Sequence, residues 1–226
     1  MKTEKSLYNQ LTFCEVEFSN ADQSITLQKE IFQGFDATLL VLAACDLKLF
    51  KEISKMHMPF GKLNYYLAFK NGEAVGITGI YTYSDKGKPN ECWLAWYGVH
   101  ERFRNQGYGR SILEWTIHQA IAEGYEILRI YTAPQDHADA DKLYLKMGFT
   151  KEEYSIEFEG IYTYSIAITD VPLELMNGRF MNFALEIELC EISEDRKNAI
   201  VEQYVKKGIY QKALGIYNVP NWNIQT

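Results

Sequence analysis

The chain has 226 residues, of which 47% are hydrophobic and 23% are charged, and it contains only 5 prolines. This composition is typical of a packed globular protein and excludes disorder for the bulk of the chain. The net charge of −7 argues against a general nucleic-acid binder, which would need a basic surface, and it favours the approach of a cationic substrate.

The first residues and the cysteines predict where the protein works. Residues 1–6 carry charges of both signs and no apolar segment follows them, so we predict no signal peptide. The longest apolar run, 39–45, is far shorter than the roughly 20 residues of a membrane-spanning helix. The 4 cysteines are scattered, which favours neither a zinc site nor a disulfide framework. We therefore expect a cytoplasmic protein without a bound metal and without membrane or nucleic-acid partners.

The first part of the chain predicts a strand followed by two helices. Residues 11–18 alternate apolar and acidic side chains, as a half-buried strand does. Two segments with helical spacing follow, 21–35 and 37–55, and Asp36 between them is the expected N-cap of the second. The apolar run 39–44 inside the second segment is also compatible with a buried strand, because periodicity alone does not separate the two.

A hairpin and an alternation of strands and helices come next. Asn71-Gly72 lies between two apolar runs, and this dipeptide is the strongest short-range signal for a hairpin. Beyond it the pattern predicts strands at 91–99, 127–131, 149–158 and 161–168, and helices at 109–123 and 137–147. The tail offers one strand at 183–189 and one helix that begins at Ser193. We divide the chain into a domain of residues 1–170 and an extension of residues 171–226, which would be a lid or a dimerisation element.

The segment 104–110 carries the most informative pattern, because it follows a predicted strand directly and opens a helix. Its sequence is Arg104-Asn105-Gln106-Gly107-Tyr108-Gly109-Arg110. Glycines let the backbone approach a phosphate, and the N–H groups of a first helical turn point at it along the helix dipole. The two arginines add positive charge at either edge. The segment lacks the lysine of a P-loop and the third glycine of a dinucleotide site, so neither of those phosphate sites fits.

Two motifs resemble the GCN5-related N-acetyltransferase (GNAT) superfamily. Residues 104–109 match that family's Arg/Gln-x-x-Gly-x-Gly/Ala motif at every defined position. Residues 140–149 are similar to its Ala-x-x-Leu-Tyr-x-Lys-x-Gly-Phe helix, and the two motifs occur in the family's order. The resemblance covers roughly residues 11–168. It implies an α/β (α+β) fold with a mixed, mostly antiparallel central sheet flanked by helices, to which the strand-helix extension is added.

The resemblance also implies acetyl-CoA as cosubstrate, bound between the strands 91–99 and 127–131. Its pyrophosphate would lie on the amides of residues 106–110, and its pantetheine would pair with the backbone of the first strand. His137 stands where the family often has an asparagine that contacts pantetheine, and it would donate a hydrogen bond there or face solvent. The predicted contacts are Tyr97, Val99, Arg104, Asn105, Gln106, Gly107, Tyr108, Gly109, Arg110 and His137.

Acetyl transfer to an amine requires two proton transfers. An alkylamine with a pKa near 10.4 is only about 0.1% neutral near pH 7.4, so something must accept its proton. The departing thiolate must also receive one, and the resemblance implies Tyr144 as that general acid. In histone-type members of the family, a catalytic glutamate stands at the position that Trp93 occupies here. Our candidate for the base is Glu91, which lies two residues earlier and on the same face of a regular strand. Asp36, Glu101 or a chain of waters are the alternatives.

The acceptor pocket is expected where the break between the first two helices meets two strands. The side chains predicted to line it are Phe35, Asp36, Tyr81 and Trp93. Aromatic walls suit both an alkyl stem and a cation, although core packing accounts for most such rings. The leading hypothesis is an N-acetyltransferase that acts on a primary amine of a small molecule. The alternatives are a protein or peptide N-acetyltransferase and a catalytically inactive CoA-binding regulatory module, and the extension allows a homodimer.

Overall fold

The computed structural model describes residues 10–32, 37–56, 60–84, 90–132, 138–153 and 162–168, together with three single positions near the C-terminus. Its helices are α1 (Ala21–Ile31), α2 (Thr38–Cys45), α3 (Leu47–Met56), α4 (Tyr108–Ala122) and α5 (Ala138–Lys146). Its strands are β1 (Thr12–Glu15), β2 (Phe60–Lys70), β3 (Glu73–Tyr83), β4 (Glu91–Val99), β5 (Ile127–Thr132), β6 (Thr150–Glu153) and β7 (Tyr162–Ala167). A short 3₁₀ turn covers Glu101–Phe103.

The strands form one seven-stranded sheet in the order β1-β2-β3-β4-β5-β7-β6. Only β4 and β5 are parallel neighbours, and the other pairs within this sheet are antiparallel. The mixed, mostly antiparallel sheet flanked by helices is therefore confirmed. The predicted hairpin joins β2 to β3, and both turn residues, Asn71 and Gly72, have the positive φ that a tight hairpin turn requires, 52° and 83°.

Helices cover both faces of the sheet, and β4 contributes to both cores. Helices α1, α2 and α3 form one core with the sheet, and α4 and α5 form the other. Because side chains alternate along a strand, Trp93 and Ala95 face the first core, while Cys92 and Leu94 face the second. The strand that the sequence predicts to carry the site thus lies in the middle of the sheet, buried from both sides.

The predicted helix at 37–55 is two helices. Asp46 separates them, because its Oδ1 accepts the N–H groups of Lys48 and Leu49 at 2.7 and 3.2 Å and so begins α3. The apolar run 39–44 lies in α2, so the strand alternative was wrong. The N-cap of α2 is Ala37, without a side-chain hydrogen bond, rather than Asp36. Apolar spacing continues across the break, which is why the sequence indicated a single helix.

The C-terminal region is described at three positions only. These positions, Asp195, Ala199 and Glu202, are helical and exposed, as expected for the helix predicted after Ser193. The strand predicted at 183–189 lies outside the described residues. Among the helices that are described, none is both long and apolar enough to cross a membrane.

Candidate functional site

β4 and β5 diverge from each other toward one end of the sheet. Their pairing covers only Glu91–Trp93 against Ile127–Arg129, although β4 continues to Val99 and β5 to Thr132. Over the rest of its length β4 stays paired with β3, and β5 stays paired with β7. A gap therefore opens between the two strands beyond the last paired residues, and an extended ligand can pair with backbone there.

A β-bulge in β4 lies where this gap opens. The register with β3 shifts between Ile77 and Gly79, so that β4 has one residue more than its partner at this point. Without the bulge Tyr97 would share the face of Trp93, since side chains alternate. Instead Tyr97 packs against the core of α4 and α5, and its hydroxyl donates a hydrogen bond to the carbonyl oxygen of Gly109 at 2.7 Å. The bulge thus places Tyr97 on the face from which its hydroxyl reaches the first turn of α4.

The first turn of α4 is open to a ligand. Gly107 is its N-cap, with a φ of 84° and no side-chain capping bond. The N–H groups of a first turn have no partner within the helix and lie at the positive end of its dipole, so they bind oxyanions. Asn105 also has a positive φ, 59°, and the exposed residues 104–107 form a tight loop ahead of the helix. This geometry fits the pyrophosphate site that the sequence predicted.

Three side-chain hydrogen bonds hold the β4–α4 loop, residues 100–107. Arg104 Nε donates to the carbonyl oxygen of Val99 at 3.2 Å, and Gln106 Nε2 donates to that of Arg102 at 3.2 Å. The N–H of Arg102 in turn donates to His100 Nδ1 at 3.3 Å. The loop is therefore ordered by its own side chains and is tied to the end of β4.

Positive charge and an aromatic contact flank the start of α4. Arg104 and Arg110 are both exposed there, and Arg110 pairs with Glu114 one turn along the helix, at 2.8 Å. Tyr108 packs edge-on against Phe103, with ring centroids 6.4 Å apart. The two guanidinium groups add to the attraction of an anion by the helix N-terminus.

Tyr144 lies on α5, buried behind Tyr97. Only 4% of it is exposed, and its ring centroid is 6.3 Å from that of Tyr97 and 5.2 Å from that of Tyr164. Burial raises the pKa of the Tyr144 hydroxyl well above its ordinary value, and it raises the pKa of Tyr97 as well. Both hydroxyls are therefore protonated at neutral pH, and the structure brings them into one aromatic cluster beside the first turn of α4.

A charged network that the sequence did not reveal fixes α5. Asp141, one turn before Tyr144, accepts hydrogen bonds from the Tyr164 hydroxyl and from Lys151 Nζ, the latter at 2.9 Å. These two donors, Tyr164 first, hold the pKa of Asp141 below its ordinary value. The same Lys151 lies 4.1 Å from the ring centroid of Tyr162. The network ties α5 to β6 and β7 and so orients the helix that carries Tyr144.

Glu91 lies at the start of β4, where the two parallel strands are still paired. Its carboxylate oxygens accept hydrogen bonds from Arg129 Nε and Nη2 at 2.8 and 3.1 Å, and Arg129 Nη1 donates to Ser165 Oγ at 2.8 Å. Glu91 is 9% exposed and Arg129 is 1% exposed. The bulge lies beyond Trp93, so Glu91 and Trp93 do share a strand face, and the Arg129 guanidinium is 6.0 Å from the Trp93 ring centroid. No sequence pattern pointed to Arg129.

The aromatic residues predicted for the acceptor pocket are opposite one another in the sheet. Tyr81 on β3 pairs in register with Trp93 on β4, and the rings are stacked with centroids 6.1 Å apart. Tyr83 lies edge-on to Trp93 at 5.8 Å. Tyr81 and Trp93 are buried in the core with α1, α2 and α3. Three predicted site residues fall outside the described residues: Phe35, Asp36 and His137.

Two of the three described cysteines, Cys45 and Cys92, are poor nucleophiles. Burial raises the pKa of Cys45 to about 12 and raises that of Cys92 still further, so both remain thiols at neutral pH. Within the part of the chain that the structure describes, no three His, Cys, Asp or Glu side chains lie together in a way that could hold a metal ion.

Comparison of the sequence with models of known protein families matches it to one family. A sequence model of the Acetyltransferase (GNAT) family matches residues 37–149, half of the chain, and this range contains both motifs. No curated protein matches the chain in sequence.

Solved structures share the fold at low sequence identity. A GNAT-family acetyltransferase from Desulfovibrio desulfuricans has a TM-score of 0.52 and 16% identity, covering 70% of this chain and 99% of that chain. One from Streptococcus pneumoniae has a TM-score of 0.51 and 21% identity, covering 70% and 99%. A chimeric spermidine N-acetyltransferase, SpeG, from Vibrio cholerae and hSSAT has a TM-score of 0.51 and 12% identity, covering 75% and 99%.

Proposed function

This chain belongs to the acetyltransferase (GNAT) family, and on that premise we propose that it transfers an acetyl group from acetyl-CoA to a primary amine of a small molecule. One observation carries the proposal. Tyr97 lies on the diverging part of β4, donates to Gly109 in the first turn of α4, and packs against Tyr144. Tyr97 therefore lies next to the open edge of β4, the anion-binding start of α4 and the protonated hydroxyl of Tyr144.

The residues present fit acetyl-CoA. Gly107 leaves the N-cap of α4 without a side chain, and a Cβ at Gly109 would lie 3.1 Å from the Tyr97 hydroxyl, so a side chain at Gly109 would press on Tyr97. In the proposal the amides of residues 106–110 hold the pyrophosphate, with Arg104 and Asn105 beside them. The backbone around Tyr97 and Val99 pairs with pantetheine. Bound acetyl-CoA supplies an activated acetyl thioester.

The amine attacks the thioester carbonyl directly. A carbon–nitrogen bond forms, the carbon–sulfur bond breaks, and Tyr144 donates its proton to the departing thiolate as general acid. The proton that the attacking nitrogen then releases passes through water and restores the Tyr144 hydroxyl. The Tyr144 hydroxyl carries a proton at neutral pH, because even the ordinary tyrosine pKa lies well above 7 and burial raises the pKa further, so a proton is available to donate. Direct attack is favoured over an acetyl-cysteine because the raised pKa values of Cys45 and Cys92 keep those thiols protonated.

The ammonium proton leaves to water in this proposal. Glu91, which the sequence suggested as the base, has both oxygens bound by Arg129, so protonating it would cost a guanidinium hydrogen bond. We therefore assign Glu91 the role of counter-ion to Arg129. The small fraction of neutral amine, about 0.1% near pH 7.4, makes turnover rise with pH until the amine is deprotonated.

A cationic small molecule is the acceptor class that we propose. The net charge of −7 favours its approach, and the half-buried ring of Tyr83, which packs beside the buried Tyr81 and Trp93, suits an alkylammonium group. The fold shared with a spermidine N-acetyltransferase chimera is consistent with this class. We assign the reaction to residues 1–170 and propose that residues 171–226 form a lid or a dimer contact.

Two measurements test the proposal in sequence. At ~100 times the dissociation constant, acetyl-CoA should stabilise the protein by about 2.7 kcal/mol, a rise in Tm of roughly 5–10 °C. Thiol release should then be assayed with polyamines, amino sugars and amino acids, with the corresponding alcohols as controls and a lysine peptide as the rival acceptor. No rise in Tm would refute acetyl-CoA binding. A rise without thiol release would indicate a regulatory CoA-binding module, and release with the peptide alone would indicate a protein acetyltransferase.

A further inference from the structure

We propose that His100 is a positioning residue for acetyl-CoA, because its imidazole anchors the β4–α4 loop. The inference rests on the proposed function, because the loop leads into the pyrophosphate site. It assigns a role to a residue that belongs to neither motif, and it predicts that acetyl-CoA affinity depends on this side chain.

The imidazole is connected to the pyrophosphate site by two hydrogen bonds. His100 is the N-cap of the 3₁₀ turn Glu101–Phe103, and its Nδ1 accepts the N–H of Arg102 at 3.3 Å. The carbonyl oxygen of the same Arg102 accepts the side-chain N–H of Gln106 at 3.2 Å. One residue therefore bonds to the imidazole through its N–H and to the loop residue Gln106 through its carbonyl. Loss of the bond to His100 would loosen the backbone of Arg102, to which Gln106 is bonded.

The other ring nitrogen faces α1. His100 Nε2 lies 3.5 Å from a carboxylate oxygen of Glu30, and the imidazole borders a cavity of about 250 Å³ between α1, the start of β3 and the 3₁₀ turn. A neutral imidazole has one donor and one acceptor nitrogen, so with Nδ1 accepting, the proton is on Nε2 and points to Glu30. The charged groups that line this cavity with His100 are Asp22 and Glu30 from α1, Glu73 from β3 and Arg102 from the turn.

Calorimetric titration with acetyl-CoA at pH 8 tests this, using wild type, His100→Asn and His100→Leu. Asparagine keeps a capping oxygen, whereas leucine has no acceptor. We expect the leucine variant to bind acetyl-CoA about fivefold more weakly than wild type does, and the asparagine variant to bind it as tightly as wild type. Equal affinity of the leucine variant and wild type would overturn the role of His100.

Amide exchange separates the possible failures. The amides of residues 101–107, measured without ligand at the same pH, should exchange faster in the leucine variant than in the asparagine variant. Equal exchange in both variants would overturn the role of His100. A wild type that binds no acetyl-CoA at pH 8 would refute the proposed function instead, while exchange still tests the anchor.

Discussion

At the scale of single residues, the side chains of the candidate site take their properties from their neighbours. Tyr144 is enclosed by the rings of Tyr97, Phe149 and Tyr164, and this burial raises the pKa of its hydroxyl. Arg129 is bound by Glu91 and Ser165 on strands to either side of its own. A buried hydroxyl that keeps its proton is suited to donate it, and a buried carboxylate that is paired twice is suited to hold a structure together.

The first prediction concerns the proton donor. Replacing Tyr144 with Phe removes only the hydroxyl, so acetyl-CoA affinity should stay nearly constant while kcat falls roughly 10²-fold or more, as on loss of a general acid. Tyr125→Phe is the matched control, because Tyr125 also packs against the core of α4 and α5 and also has a raised pKa. Unchanged turnover of the Tyr144 variant with its best acceptor would contradict the role that we propose.

The second prediction concerns the buried ion pair of Glu91 and Arg129. Replacing Glu91 with Gln leaves Arg129 charged and buried, so the protein should lose about 3 kcal/mol of stability or more. The double variant Glu91→Leu, Arg129→Met removes both charges and should recover most of the loss. Thermal unfolding measures both effects. A folded Glu91→Gln variant with normal Tm and a kcat more than 10²-fold lower would instead identify Glu91 as the base.

At the scale of elements, the ends and contacts of two helices shape the site. The glycine at the start of α4 leaves its amides open, and the bulge in β4 sends Tyr97 toward that same turn. Helix α5 is oriented by Asp141, which joins it to Tyr164 and Lys151 on the neighbouring strands. Each helix thus depends on a strand residue for its position.

The third prediction tests the start of α4. Aspartate at Gly107 would put a carboxylate where the phosphates are proposed to bind, so acetyl-CoA should no longer raise the Tm. Gly124, just beyond the other end of α4, has a similar φ of 87° and nothing within 4 Å of its missing Cβ, so Gly124→Asp carries the same backbone strain away from the site. Normal binding by the Gly107 variant, or lost binding by both, would speak against the assigned position.

The fourth prediction tests the tether of α5. The pKa of Asp141 is lowered on folding, so its contribution to stability is present above the ordinary aspartate pKa and is lost as pH falls through the lower, folded value. Asp141→Asn should lower the Tm at pH 7 by about 2 °C, a difference that shrinks once the pH falls below the ordinary aspartate pKa and is gone below the folded one. Asp139→Asn is the control, because the side chain of Asp139 is 98% exposed on the same helix. A constant difference from pH 7 to pH 3 would exclude the ionised form as the cause.

At the scale of the whole described molecule, the candidate site lies on a sheet that packs against a separate hydrophobic core on each face. α1, α2 and α3 pack on the face of Trp93, and α4 and α5 pack on the face of Leu94. The end at which β4 and β5 diverge is also where the first turn of α4 lies. The site is therefore assembled from β4, α4 and α5, while the acceptor side is expected on the opposite face.

The elements show how far sequence reasoning reached. β4 occupies 91–99, as predicted, and α4 begins within one residue of the predicted start, because glycines, capping and apolar spacing are local signals. The single helix predicted at 37–55 was wrong, because the break depends on one aspartate within an uninterrupted apolar pattern. The partner of Glu91 could not be predicted either, since Arg129 is 38 residues away and meets it only through the pairing of β4 with β5.

What the sequence alone determined is the loop and helix start at 104–110, the hairpin at Asn71-Gly72 and, through two motifs, the fold and the family. Each of these depends on residues that are contiguous in the sequence, so backbone sterics and helix-end chemistry suffice to derive it. Only the tertiary structure decided that Tyr97 faces Gly109, that Asp141 binds Tyr164 and that Arg129 binds Glu91. These contacts depend on strand register and on one bulge, and a one-residue change in register moves a side chain to the other face of the sheet.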